Sequence, residues 1–78
     1  MNFPQYRRLA NGKSYYKIID RSTVTEIQKI GSKWQKHVVI AKILPERLLI
    51  ADLLSDLNKH YEMISEEEYR VIENQLHS

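Results

Sequence analysis

The chain contains no cysteine, and of its 78 residues only two are glycine and two are proline. Without cysteine it can form neither a disulfide nor a thiolate metal site. No stretch comes near the ~20 consecutive apolar residues that span a bilayer, and the first ten residues lack the apolar segment of a signal peptide. We therefore expect a soluble cytoplasmic protein, a single domain over residues 1–78, whose small core depends on aliphatic packing or on a partner subunit.

Sequence patterns that carry chemistry are also missing. Neither Gly12 nor Gly31 belongs to a glycine-rich phosphate loop, because each falls between β-prone segments where a turn is expected. The serines have no nucleophile-elbow context, and a domain this small has little room for an enclosed pocket of the usual ~300–1,000 Å³. The histidines have no metal-ligand spacing; they are His37, His60 and His77. The sequence thus predicts a non-enzymatic protein without cofactor or metal.

Charge is distributed unevenly along the chain. Residues 1–44 hold nine Lys/Arg and two Asp/Glu, whereas residues 45–78 hold three Lys/Arg and eight Asp/Glu. The first part therefore carries a net charge of +7 and the second −5, against +2 for the whole chain. Such an asymmetry indicates a binding surface, or else two parts of one fold, or two subunits, that attract each other.

The central part of the chain predicts a hairpin, with strands over residues 23–30 and 33–43 joined at Gly31-Ser32. Glycine at the first of two central positions suits a type II′ turn, and the second segment is rich in β-branched residues. A two-residue turn also fixes which residues lie side by side. The resulting cross-strand pairs include Lys29 with Trp34 and Glu26 with His37.

A helix over residues 24–30 is the alternative for the first of these segments. Apolar residues recur every three positions from Val24 to Ile30, and Thr23 with Glu26 matches a capping box. We favour the strand, because a helix of this length would be short and the hydrophobic staple that should accompany the capping box is absent.

A second hairpin is predicted nearer the N-terminus, with strands over residues 5–10 and 13–20 and a type I′ turn at Asn11-Gly12. Its register brings cationic and aromatic side chains together in three cross-strand pairs. These pairs are Arg8 with Tyr15, Arg7 with Tyr16, and Tyr6 with Lys17.

Two helices complete the expected α+β fold. Pro45 at a first helical position starts a helix over 46–57, and Ser65 with Glu68 forms the capping box of a second helix over 66–76. Residues 61–64 form a possible short edge strand. The first helix should place an apolar stripe on an antiparallel meander of three to four strands, with Leu48 off the stripe. The stripe consists of Leu49, Ile50, Leu53, Leu54 and Leu57.

Positive charge and aromatic rings are mixed in the N-terminal half, which is the combination that binds single-stranded nucleic acid. The candidate partner surface consists of Tyr6, Arg7, Arg8, Tyr15, Tyr16, Lys17, Lys33, Trp34 and Lys36, with Lys13 adding a further charge. No recognition motif for nucleic acid accompanies these residues. The first hypothesis is therefore a protein-interaction or self-associating domain, conceivably a homodimer, and nucleic-acid binding is the alternative.

Several segments resemble a group of small uncharacterised bacterial proteins. The resemblance is carried by FPQYRRLANGKSYYKI, EIQKIG, AKILPERLLIADLL and YEMISEEEY. These residues stand at predicted turns, strands and caps. The resemblance implies an α+β domain of unknown role and assigns no functional residue.

Overall fold

A computed structural model describes residues 2–55 and 60–77, and these residues form the α+β fold that the sequence predicts. The elements in chain order are β1 (Gln5–Leu9), β2 (Ser14–Asp20), β3 (Thr23–Ile30), β4 (Lys33–Ile40), α1 (Leu44–Leu54), β5 (Tyr61–Met63), α2 (Glu66–Asn74) and a 3₁₀ turn (Gln75–His77). The strands form one antiparallel sheet in the order β4-β3-β2-β1-β5. The meander is therefore extended by β5, the short strand expected over 61–64, which lies beside β1.

The two helices cover opposite faces of the sheet. Tyr15 and Tyr16 are neighbours in β2, so their side chains point to opposite faces. Tyr16 packs in a cluster with Ile50 and Leu53 of α1, whereas Tyr15 packs with Tyr69 of α2. We call the two surfaces the α1 face and the α2 face; the middle of the sheet is buried on both.

Residues 24–30 form a strand, as favoured, and the packing explains their helix-like spacing. Val24 and Ile27 are both fully buried. Three positions apart in a strand, the two side chains lie on opposite faces. Val24 packs on the α1 face and Ile27 on the α2 face. An apolar repeat of three residues therefore also suits a strand that is covered on both sides.

The hairpin of β3 and β4 confirms the predicted register and turn. Gly31 has a φ of +64°, and among the described residues no residue other than glycine has a positive φ. This combination fits a type II′ turn with Gly31 first and Ser32 second. The predicted pairs are present: Lys29 with Trp34, and Glu26 with His37.

The hairpin of β1 and β2 has the predicted register, but the predicted type I′ turn is wrong. The Gly12 amide donates to the Leu9 carbonyl at 2.8 Å, so Ala10 and Asn11 occupy the centre of the turn. The Asn11 side chain accepts from the Lys13 amide at 2.8 Å, an arrangement that competes with the positive φ a type I′ turn needs there. Each strand is one residue shorter than predicted as a result.

Helix α1 begins at Leu44, two residues before the predicted start, and β4 ends three residues before the predicted 43. The cause is the Glu46 carboxylate, which accepts from the amides of Lys42 (2.9 Å) and Ile43 (3.2 Å). These bonds lower the pKa of Glu46 below its ordinary value. Pro45 stands at the second helical position. Its missing N–H costs no hydrogen bond there, because the first amides of a helix have no partner within the helix.

The apolar stripe of α1 faces the sheet as predicted. Ile50 and Leu53 are buried, and the other two described leucines of the stripe pack against the same cluster. Leu48, which the pattern places off the stripe, is exposed. The predicted end of the helix at 57, together with Leu57, lies outside the described residues.

Arg7 ties the sheet to the C-terminal end of α1. Its side chain is only 6% exposed, and its Nε donates to the Leu53 carbonyl at 2.9 Å. Further bonds run from Nη1 to the Tyr6 carbonyl (2.9 Å) and from Nη2 to Gln5 Oε1 (2.7 Å). The last turn of α1 has no basic residue of its own, so Arg7 supplies the positive charge that favours a helix C-terminus.

Helix α2 starts at the predicted cap and docks by the predicted residues. Ser65 Oγ accepts from the Glu68 amide at 3.1 Å. Tyr69 is buried on the α2 face, with Ile64, Ile72 and other apolar side chains packed around it. Within the described ranges, neither helix is long and apolar enough to cross a membrane.

Candidate nucleic-acid interface

The predicted partner surface does not form one surface in the structure. Strand alternation and the observed register divide its residues between the two faces of the sheet. Those on the α2 face are Tyr6, Arg8, Tyr15, Lys17, Trp34 and Lys36. Those on the α1 face are Arg7, Tyr16 and Lys33.

Three of these residues are buried and belong to the core. Arg7 holds α1, and Tyr15 and Tyr16 pack in the two apolar clusters. The Tyr16 ring meets the Tyr61 ring edge-on, with centroids 5.7 Å apart. Burial raises the pKa of the Tyr16 hydroxyl well above its ordinary value, with a further contribution from the Glu26 carboxylate. Arg7 and Tyr16 therefore present neither charge nor a ring face to a partner.

Two cations of the set are held by carboxylates of the second half of the chain. Arg8 reaches Glu62 of β5 at 2.6 Å and Glu68 of α2 at 2.9 Å, and Lys36 lies 3.5 Å from Glu73. The charge asymmetry of the sequence is therefore satisfied in part within the protein. This is the second of the interpretations that the charge pattern allowed.

An aromatic group remains accessible where the two predicted hairpin turns meet. The turns joining β1 to β2 and β3 to β4 lie at the same end of the sheet, because the four strands form a meander. Trp34 is half-buried there. Lys29 Nζ lies 5.7 Å from the centre of the Trp34 ring, and Tyr15 meets that ring edge-on at 5.8 Å. The indole is thus fixed by a cation and by a second ring.

Two open clefts, each of about 450 Å³, share Lys29 and Trp34. The first cleft lies between the two turns, and its other lining residues are Asn11, Gly12, Lys13, Tyr15 and Gly31. The second lies toward the end of α2, and its other lining residues are Ser32, Lys33, Gln75 and Leu76. A chain molecule could lie across the tryptophan and occupy both clefts.

The positive charge around these clefts comes from three exposed lysines. Lys13, Lys29 and Lys33 are exposed. In the part of the chain that the structure describes, no carboxylate forms an ion pair with any of the three. We call Lys13, Lys29, Lys33 and Trp34 the lysine–tryptophan end.

Sequence reasoning identified part of this site. It named Lys33 and Trp34 and counted Lys13 among the nearby charges, but it left Lys29 out of the surface. The signal for Lys29 was present, because the predicted register already placed its ammonium beside the Trp34 ring. Gln75 and Leu76 could not be found in this way, because they arrive from the far end of the chain.

The described residues contain no group of three or more side chains that could hold a metal ion. Comparison with protein-family models, with curated proteins and with solved structures found no match to this chain. The site must therefore be interpreted from its own geometry and charge.

Proposed function

We propose that the protein binds single-stranded nucleic acid at the lysine–tryptophan end. The observation that carries the proposal is the pair of clefts that share Trp34, with three exposed lysines around them. Single strands bind where positive charge follows the phosphate backbone and a ring is available for base stacking. Trp34 supplies the ring, and Lys13, Lys29 and Lys33 supply the charge.

The chemistry of the site favours binding without sequence preference. Arginine reads guanine through a planar, bidentate fork, whereas lysine acts as a flexible point charge. The three cations that line the clefts are lysines, and stacking accepts any base. We therefore expect affinities for different homopolymers to lie close together and to depend strongly on salt.

The proposal requires no catalytic group. It includes a bacterial, cytoplasmic location, where single-stranded nucleic acid is accessible, and this part of the proposal rests on the sequence resemblance. A role as a passive binding module is consistent with clefts that are partly open to solvent.

Fluorescence anisotropy of a labelled twelve-nucleotide thymidine strand provides the test. Three lysine–phosphate contacts give an expected slope of log K against log salt of about −2. In the double variant Lys13→Gln/Lys33→Gln one contact remains, so the slope should fall to about −0.7 and the affinity in low salt should fall at least tenfold.

A matched control removes the same charge from the other end of the sheet. Arg21 is exposed there, and Arg47 is exposed in the first turn of α1, which follows the end of β4. Arg21→Gln/Arg47→Gln should leave the affinity within about twofold of wild type, because neither charge lines a cleft. Absence of binding at 20 mM salt, or an equal loss in both double variants, would contradict the proposal.

A further inference from the structure

The two edges of the sheet are protected very differently. At one edge β5 has three residues, and its Glu62 is held by Arg8. At the other edge β4 has eight residues and pairs with β3 along its full length. Short or charged edge strands resist pairing with other chains, whereas a long regular edge is a template for it. Among the residues that the structure describes, the unprotected edge is therefore β4.

The hairpin turn determines which backbone groups of β4 face outward. A two-residue turn makes Ile30 and Lys33 a hydrogen-bonded pair, and bonded pairs then alternate along the ladder. The bond from the Ala41 amide to the Ser22 carbonyl (2.7 Å) and that from the Lys29 amide to the Lys13 carbonyl (2.8 Å) both fit this alternation. The outward-facing amides and carbonyls belong to Trp34, Lys36, Val38 and Ile40.

The side chains of these four residues lie together on the α2 face. Val38 is 56% exposed and Ile40 53% exposed, although both are β-branched and apolar. Lys36 lies within 3.5 Å of Glu73, so its charge already has a partner. Within the described ranges, the edge thus offers backbone groups that no further strand pairs with, and apolar side chains on two of the same residues.

We propose that β4 pairs with β4 of a second copy of this chain in an antiparallel, two-fold arrangement centred on His37. Trp34 then lies beside the partner's Ile40, and Lys36 beside the partner's Val38. The four outward-facing residues of each copy contribute about eight backbone hydrogen bonds in total. The interface is the same patch on both copies, so it closes at a dimer and forms no fibre.

The register argues for a second copy as the occupant. Pairing about His37 matches all four outward residues with one another, and its aromatic to β-branched contacts are of the kind that stabilise cross-strand pairs. A shift that centres the pairing on Lys36 sets two lysines directly opposite each other, and a shift toward Val38 leaves Trp34 beyond the paired strand. The pairing also places the two lysine–tryptophan ends at opposite ends of the joined strands.

A single cysteine tests both the dimer and its register, because the chain has none of its own. In the proposed dimer, His37 of one copy lies directly opposite His37 of the other, as a pair without hydrogen bonds between the two residues. The Cα atoms of such a pair lie about 4.5 Å apart, which is within the range for a disulfide. His37→Cys should therefore give a covalent dimer under mild oxidation. The control is Gln35→Cys, an exposed residue on the same strand and face whose copies stand several residues apart. Cross-linking of neither variant, or of both equally, would overturn the proposal.

Sedimentation equilibrium with a charge substitution gives an independent measurement. Val38→Lys sets a lysine opposite the partner's Lys36, and the two positive charges repel each other. We therefore expect this variant to have the mass of a monomer and the wild type to have the mass of a dimer. Val71→Lys is the matched control, because Val71 is 59% exposed, close to the value for Val38, but lies on α2; it should remain dimeric. A monomeric wild type at 500 μM, or a dimeric Val38→Lys that keeps its circular dichroism spectrum, would overturn the proposal.

Discussion

Replacing Arg7 by methionine should destabilise the protein more than replacing its neighbour Arg8. Arg8 has the more conspicuous interactions, with two carboxylates at 2.6 and 2.9 Å. Arg7 has no carboxylate partner among the described residues, and its three bonds go to two carbonyls and an amide oxygen. The difference lies in burial, because the Arg7 side chain is enclosed between β1 and the end of α1.

The size of the effect follows from the bonds that would be lost. A hydrogen bond from a charged group contributes about 1.5–3 kcal/mol, and a cation at a partly buried helix C-terminus up to about 2 kcal/mol. Methionine keeps the apolar stem but leaves the Leu53 carbonyl without its donor, so we expect Arg7→Met to cost about 3 kcal/mol. Exposed ion pairs contribute about 1 kcal/mol or less, which bounds the cost of Arg8→Met.

Urea unfolding followed by Trp34 fluorescence measures both costs. A domain of this length has a total stability of roughly 4–12 kcal/mol, so Arg7→Met should remain folded but with a markedly lower midpoint. With a urea dependence of about 1 kcal/mol per molar, the midpoint should fall by about 3 M for Arg7→Met and by about 1 M or less for Arg8→Met. A larger loss for Arg8→Met would refute the assignment of Arg7 as the anchor of α1.

Three further substitutions test separate parts of the fold. Glu46→Gln should lower the melting temperature at neutral pH, because the amides of Lys42 and Ile43 stabilise the ionised carboxylate and lower its pKa. The stabilisation by the ionised Glu46 is fully present above the ordinary pKa of 4.5 and is lost as the pH falls through the lowered pKa. The variant and the wild type should therefore have the same melting temperature in strong acid. A difference in melting temperature that stays constant at every pH would contradict this. Tyr69→Phe should raise the free energy of unfolding by about 1 kcal/mol in urea titrations, since the buried hydroxyl has no hydrogen-bond partner among the described residues. A loss of stability would show that the hydroxyl does have a partner. Gly31→Ala should cost about 1–2 kcal/mol in thermal unfolding because of the φ of +64°, and a neutral result would count against the type II′ turn.

Local signals were enough to predict the strands and their pairing. Each hairpin has a glycine in its turn, and the register follows from the length of the turn, which is why the pairing of Lys29 with Trp34 could be predicted. The type of turn around Gly12 could not be predicted, because the side chain of Asn11 competes with the backbone carbonyls for the Lys13 amide.

The division of the sheet into two covered faces could not be predicted. Apolar residues surround α1 on several sides, including the exposed Leu44 and Leu48, so its sequence does not fix which sheet face it covers. Whether Tyr15 and Tyr16 are buried depends on which face α1 covers and on whether α2 covers the opposite face. Of the surface predicted from composition, Arg7, Tyr15 and Tyr16 are therefore buried in the structure, whereas Lys33 and Trp34, next to a hairpin turn, remain in the candidate site.

Backbone amide NMR spectra recorded during titration with a thymidine oligonucleotide at low salt test the central claim most directly. The account predicts that the largest shifts occur at the Trp34 indole N–H and at the amides of residues 11–13, 29–34 and 75–76. The amides of residues 20–22, around the turn between β2 and β3 at the opposite end of the sheet, should stay in place. Shifts centred on that opposite end, or an unchanged spectrum at saturating oligonucleotide, would contradict it.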